Sequence, residues 1–566
     1  MKANLVLRNG NIYTMNEKME RAEAIAVNNN KIIAVGKNSD IERYINENTV
    51  IIDWKGKTVL PGFIEPHVHL PGNAYNVMYN INLFDAKNLE ETMTMIKNFI
   101  EEHPERDIYY GRGFMTAVFP GEESGIGPKK ERLDAICSDK PVILVDYGGH
   151  IAWLNSKALE NFDITKETPD MEGGVIEKDP QTGEPWGILK EEAKLLYDEQ
   201  TFTASERKEA LSWCQKILDQ YGYTAVLAQR QSGSTDPVPI FDGMAALEDE
   251  GGLNIRICVA REIKSSFNED DQIKDLEEKR REFEKRNGYI KVTTAKFFVD
   301  GTVEGGSACL REPYCEALGQ GSDYRGELLW EYNRLEKTFI KVLEKGFNIH
   351  VHAIGDEAVK EAIDALETAQ RKVPGDHRNC ITHLQVMREE DIQRMADLGI
   401  VACTNPYWHF KDPCVYFEAE LPYLGRERAE NEYPMKSFKD AGVVITSSAD
   451  YPVTADPNPF FAVRAGVTRN IYQEDFYKVK KLTDIDDPQY LLKPSERVDV
   501  HTMIKAYTIN AAYALHMEKE IGSIEPGKFA DLIVIDRDVY ETDPLEIQDI
   551  KVLSKIFDGR VIFNNI

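Results

Sequence analysis

GFIEPHVHL, residues 62–70, is the stretch from which the rest of the chain is read. An apolar run ends there in Pro66-His67-Val68-His69. Residues two apart on a strand face the same way, so both imidazoles point to one side and can share a metal ion. An H-x-H pair standing alone is more often two solvent-facing loop histidines, and its weight depends on what accompanies it.

Seven more apolar runs follow: YGYTAVLAQ (221–229), LNIRICVA (253–260), YIKVTTAKFFVDG (289–301), FNIHVHAIG (347–355), RNCITHLQV (378–386), GIVACTNP (399–406) and VVITSSADYP (443–452). Amphipathic stretches separate most of them. One opens on a capping-box signal, Thr203 with Glu206, and runs to Gly222. Another covers 356–372. The strongly charged stretch 262–288 reads as a solvated helix. Eight strands with seven helical connections match a closed (β/α)8 TIM-type barrel in number. An open doubly wound sheet competes, although no G-x-G-x-x-G opens a helix, so a dinucleotide site has no support. The connection over 71–220 is far longer than a βα unit needs. It predicts an inserted subdomain near 105–205, after the first barrel strand.

Both ends of the chain are strand-like. NLVLRNGNIYTM predicts a hairpin at Asn9-Gly10, AEAIAVNNNKIIAVG a second around Asn28 to Asn30, and KVLSKIFDGRVIF a third at Asp558-Gly559. Neither end buries much core alone, which favours one β-sandwich built jointly from 1–62 and 519–566, with the barrel over 63–518.

The 566 residues are 42% hydrophobic and 29% charged, a globular balance. Lys and Arg number 68 against 96 Asp and Glu, a net charge of −28. Such a surface repels phosphate backbones and anionic lipid, so neither nucleic acid nor membrane is an expected partner. MKANLVLRNGNIYTM has no apolar core of signal-peptide length. The eight cysteines form no C-x-x-C pair, which fits reduced thiols and a cytoplasmic location.

His352, His383 and Asp450 each fall at the C-terminal end of an expected barrel strand, the rim where barrel active sites are built. With His67 and His69 they make a donor set suited to zinc and similar divalent ions. His350 has the same facing as His352 but lies deeper, in the barrel interior. Lys296 lies inside a core strand, where an ammonium is costly unless paired or chemically altered. Asp300, with the same facing and nearer the rim, is a candidate charge partner or a group that supports a metal ligand from behind; outward snorkelling of the lysine is the other ordinary reading.

Taken in order, LPGFIEPHVHL, GGHIAWLNSKAL (148–159), AKFFVDG, VHAIGD (351–356), ITHLQ (381–385), SSADYP (447–452), AYTINAAYAL (506–515) and GSIEPGKFADLIVID (522–536) resemble the amidohydrolase superfamily, in the YtcJ-like branch that includes N-substituted formamide deformylases. The resemblance runs along nearly the whole chain. It implies that His67 and His69 bind the more buried of two metals, that Lys296 is carboxylated and bridges them, and that His352 and His383 hold the second. It implies further that Asp450 is the proton shuttle, that His150 contacts substrate, and that the terminal segments form the family's small sandwich. Many relatives have Asp where Glu65 stands, and no ligand role is carried over to it.

The implied reaction is hydrolysis of a non-peptide C–N bond, amide or formamide-like, in a small molecule. It proceeds by metal-activated hydroxide, with one or two divalent ions, zinc first among them, and Asp450 serving both proton transfers. A mononuclear deaminase or other hydrolase on the same scaffold is one alternative. A non-catalytic regulator that has kept the fold is another. The expected partner is a small-molecule substrate, and a homodimer is compatible with this reading. Tyr109, Tyr110, Phe114, Phe119, Trp153 and NPYWHF (405–410) either favour an apolar substrate or pack the insertion.

Overall fold

A parallel strand buried on both faces reads as an unbroken apolar run, and each of the eight runs is a strand. The computed structural model describes residues 2–146, 150–171, 174–197, 200–229 and 240–566. The strands are β1 (Phe63–Val68), β2 (Tyr223–Ala228), β3 (Arg256–Glu262), β4 (Ile290–Phe298), β5 (Asn348–Ala353), β6 (Cys380–His383), β7 (Val401–Thr404) and β8 (Ile445–Ser447). They form one parallel sheet in chain order, the sheet of a nearly closed TIM-type barrel. Its register sets Lys296 of β4 beside His350 of β5, and Ala353 of β5 beside His383 of β6. Gly62 is required just before β1, because a Cβ there would lie 2.3 Å from the Thr224 side chain.

By contact the chain divides into two compact units, residues 1–70 with 215–566, and residues 71–214. In the first unit the amphipathic stretches are helices, among them Glu269–Arg286 and Asp356–Lys372. The former buries Ile273, Leu276 and Phe283 and leaves its charged face outward. Among the described residues no helix is long and apolar enough to cross a membrane.

The ends of the chain meet in this unit. A four-stranded sheet holds Leu5–Arg8, Ala24–Asn28, Lys31–Gly36 and Val50–Asp53. A six-stranded sheet holds Asn11–Tyr13, Arg21–Ala22 and Thr58–Pro61 together with Leu532–Ile535, Val552–Phe557 and Arg560–Asn564. Leu532–Ile535 runs antiparallel to Thr58–Pro61. Leu7, Ile25 and Val27 of the first sheet and Ile12, Val59 and Val534 of the second share one apolar cluster with Trp54. Arg256, the first residue of β3, ties this region to the barrel: it is buried and ion-pairs with Asp531 at 3.0 Å and Asp558 at 2.8 Å.

Two of the three terminal hairpins form as expected, with Asn28 opposite Lys31 and Phe557 opposite Arg560. The third does not. Leu5–Arg8 pairs with Ala24–Asn28 and Val50–Asp53, whereas Asn11–Tyr13 pairs in the other sheet. Asn9-Gly10 is therefore a crossing between sheets. Asn9 takes a positive φ of 57°, and a Cβ on Gly10 would sit 2.6 Å from Trp54. The same two residues that suit a hairpin turn suit this close passage under an indole.

The second unit has its own six-stranded sheet, in the order Gly174–Lys178, Pro185–Glu191, Ile151–Leu154, Val142–Asp146, Tyr109–Phe114, Ile81–Asn82. Its core is aromatic. Tyr109, Phe114, Phe119, Trp153 and Trp186 are buried in one cluster, and the Trp153 ring lies 5.7 Å from Phe114 and 5.4 Å from Phe119. These side chains pack against one another in the core of this unit. The expected capping box is present, with Thr203 N donating to the Glu206 carboxylate at 2.8 Å and Glu206 N to the Thr203 hydroxyl at 3.2 Å.

Candidate metal centre

Strand periodicity brings His67 and His69 to the rim on β1 and just beyond it, while β6 ends at His383 and Asp450 follows β8. His67 Nε2 lies 3.3 Å and His69 Nε2 3.1 Å from the same oxygen, Asp450 Oδ1. Ligand atoms of His67, His383 and Asp450 all lie within 4.8 Å of one another. Lys296 Nζ is 3.5 Å from His67 Nε2. The His352 ring stands 4.5 Å from that of His383, but its Nε2 faces the Gly301 carbonyl at 3.2 Å, and its donor atom is outside the tight group.

Two of these residues hold strained backbones. His383 has φ 76° and Asp450 φ 54°, left-handed values that cost about 1–3 kcal/mol for a residue with a Cβ and cluster at functional sites. Hydrogen bonds beneath the rim set which ring nitrogens carry protons. His383 Nδ1 donates to Asn405 Oδ1 at 3.0 Å, and Asn405 Nδ2 donates to Ser448 O at 3.2 Å, which fixes the amide's orientation. That leaves the His383 Nε2 lone pair free to ligate. His67 Nδ1 meets His350 Nε2 at 2.9 Å; with the proton on His67 Nδ1, its Nε2 lone pair faces Asp450. Partners of this kind orient metal-ligating histidines.

Electrostatics agree with neutral imidazoles. Burial, reinforced by the nearby Lys296 charge, holds His67 and His350 well below the usual 6.5 and lowers His352 to about 3. Burial and then His352 do the same to His383. The donor set fits a divalent cation on one structural observation in particular. Two imidazole nitrogens approach Asp450 Oδ1 within 3.3 Å, yet this buried oxygen has no hydrogen-bond partner of acceptable angle. Lone pairs that converge on one space without bonding each other are the arrangement a cation satisfies. His67, His350 and Cys403 form another close group; there the 2.9 Å His67–His350 hydrogen bond already uses the nitrogens, so these residues support His67.

A pH dependence follows. As pH falls below about 6.5, the unfolded chain takes up protons that the folded chain refuses, and folded stability drops. For His352 the loss runs from about 6.5 down to about 3. Thermal melts of chelator-stripped protein are expected to show a midpoint that falls steadily from about pH 7 to pH 4.5. A flat midpoint over that window would contradict buried neutral imidazoles.

Lys296 is fully buried, and burial lowers its pKa to about 8. Of the two readings of Asp300, the pairing with Lys296 is not made; Asp300 Oδ1 lies instead 3.9 Å from His352 Nε2. Strand β4 stops at Phe298, and the chain then turns Asp300 away from the lysine. Its carboxylate accepts from Cys309 N at 2.9 Å, Ile354 N at 3.0 Å and Gly355 N at 2.8 Å. Asp300 thus braces the loop after β5, where a Cβ on Gly355 would meet Cys309 O at 2.0 Å. The sequence assigns no role to Asn405 or Ser448 and denies Glu65 a ligand role; each of the three acts across strands. His150 lies in the other unit, exposed, one residue before the strand Ile151–Leu154. Gly148 and Gly149 of its motif lie outside the described residues.

A model of the amidohydrolase family matches residues 50–563. The chain belongs to the amidohydrolase family. The putative amidohydrolase YtcJ of Bacillus subtilis is 28% identical over 100% of this chain and 99% of its own length. The N-substituted formamide deformylase of Arthrobacter pascens is 25% identical over 98% and 97%. The crystal structure of an uncharacterized metal-dependent hydrolase from Pyrococcus horikoshii superposes with a TM-score of 0.72 at 24% identity, covering 95% of this chain and 99% of that one. As an amidohydrolase the protein is a metal-dependent hydrolase of C–N bonds, and the rim of its barrel carries the donor set.

Proposed function

We propose that this amidohydrolase cleaves the amide or formamide-like C–N bond of a small molecule at a centre held by His67, His69, His383 and Asp450. Carboxylated Lys296 and His352 complete a set for two ions, zinc in the first instance. The observation that carries the reading is the convergence of imidazole lone pairs on Asp450 Oδ1 described above. A divalent ion bound there supplies Lewis acidity toward a carbonyl and makes water nucleophilic at neutral pH.

The protein's own residues do the rest. Asp450 takes a proton from the attacking water and delivers it to the leaving nitrogen, which departs poorly unless protonated. Asp450 N donates to Ser448 Oγ at 2.9 Å, holding the carboxylate at one angle for both transfers. Asn405 and His350 keep His383 and His67 in the ligating tautomer.

The test combines metal analysis with a panel of N-substituted formamides and simple amides. Protein as isolated is expected to carry one or two divalent ions per chain, to hydrolyse members of the panel, to lose this on chelation and to regain it with Zn²⁺. Two ions per chain would separate this reading from a single-ion deaminase. Failure to bind ions stoichiometrically would sink it.

A further inference from the structure

Seven neighbouring strand pairs of the barrel are joined by backbone ladders. The eighth pair is different: among the described residues no ladder joins β8 to β1. This open seam lies between the ligand-bearing ends, with His67 and His69 on one side and Asp450 on the other.

Side chains bridge it instead. Glu65 Oε1 accepts from His67 N at 3.2 Å, and Glu65 Oε2 accepts from Ala449 N at 3.1 Å. Ser448 Oγ donates to His67 O at 2.8 Å while accepting from Asp450 N. One backbone bond, His69 N to Tyr451 O at 2.9 Å, adds to them above. Glu65 is fully buried, and both its oxygens are committed to amides on opposite sides of the seam. Its two oxygens offer one acceptor to each amide. A glutamine accepts with one atom only, and its NH2 would face the second amide donor to donor.

We propose that Glu65 is the positioning residue that sets the distance between His67 and Asp450, so that ligands on the two sides of an unladdered seam close on the same ion. The inference rests on the metal-centre reading above. It gives Glu65 no place in the coordination sphere; Glu65 acts through the two backbones it holds.

The experiment uses full-length protein stripped with a chelator. Co²⁺ is titrated into wild type, Glu65→Gln, Glu65→Asp and Ser448→Ala while the visible d–d absorption is followed, and the ion-free melting temperature of each is recorded. Glu65→Gln is expected to bind Co²⁺ about 10–100-fold more weakly, with an altered d–d spectrum. Glu65→Asp keeps both acceptors on a shorter stem and is expected to recover part of the affinity. Ser448→Ala, which removes the second bridge, is expected to weaken binding in the same direction. A lowered ion-free melting temperature with Co²⁺ affinity and spectrum unchanged would make Glu65 merely structural and overturn the proposal. If Glu65→Gln does not fold, unchanged Co²⁺ binding in both Glu65→Asp and Ser448→Ala overturns it equally. Wild-type protein that takes up no Co²⁺ would instead fail the metal-centre reading, and the wild-type titration alone reports that.

Discussion

Asp450→Asn is expected to lose about two to four orders of magnitude in turnover while the barrel stays folded. The amide fills the same volume at a buried position, keeps its backbone donation to Ser448, and suits the left-handed φ of 54° there, since Asn is among the residues that tolerate it best. What it cannot do is take and return a proton. The expected signature is therefore a fall in kcat that exceeds any change in KM, read by steady-state kinetics on whichever formamide or amide the wild type hydrolyses. A melting temperature within a few degrees of wild type separates this from unfolding. An Asp450→Asn protein that retains more than about a tenth of wild-type kcat would remove Asp450 from proton transfer.

Lys296→Ala is expected to lose one bound ion and nearly all activity. The geometry leaves the lysine an unusual residue: fully buried, without its expected carboxylate partner, and 3.5 Å from an imidazole nitrogen in a cluster of histidines. Its pKa of about 8 leaves a usable fraction of free amine near neutrality. That amine can add to CO2, forming an N–C bond and releasing one proton, and the resulting carbamate supplies two oxygen donors. Ion-free protein reloaded with Zn²⁺ in CO2-depleted buffer should then recover slowly, and bicarbonate should speed recovery. Lys296→Glu, with a carboxylate at similar reach, should regain some of the lost metal. An ordinary ammonium at 296 predicts no bicarbonate effect and full metal content in Lys296→Ala, and metal analysis decides between the two.

The parts of the molecule that were legible in the sequence are those written locally. The barrel strands announced themselves because burial on both faces keeps most of their positions apolar. His67, His69, His352 and His383 stood out because two-residue spacing and strand ends place side chains without knowledge of neighbours. What failed was partner choice. The turn chemistry of Asn9-Gly10 is genuine, but whether the next strand folds back or crosses to another sheet is decided by Trp54 and by strands from the far end of the chain. Of the two readings of Asp300, the pairing with Lys296 fails because facing does not extend past Phe298, where the strand ends, while its place beside His352 holds. Glu65, Asn405 and Ser448 lie within motifs already legible, yet nothing local marks their roles: each works by reaching across to another strand, and that relation appears only in three dimensions.

The antiparallel pairing of Thr58–Pro61 with Leu532–Ile535 sets an order on biosynthesis. The first strands leave the ribosome hundreds of residues before the strand that completes their sheet. Until then Thr58–Pro61, buried along its whole length in the finished protein, is an uncovered edge able to pair with any extended chain nearby. Its protection comes almost last, so a nascent chain interrupted before residue 532 exposes a sticky strand at the end opposite the break. Partial products of this protein should therefore be a greater burden on chaperones than their length alone would suggest.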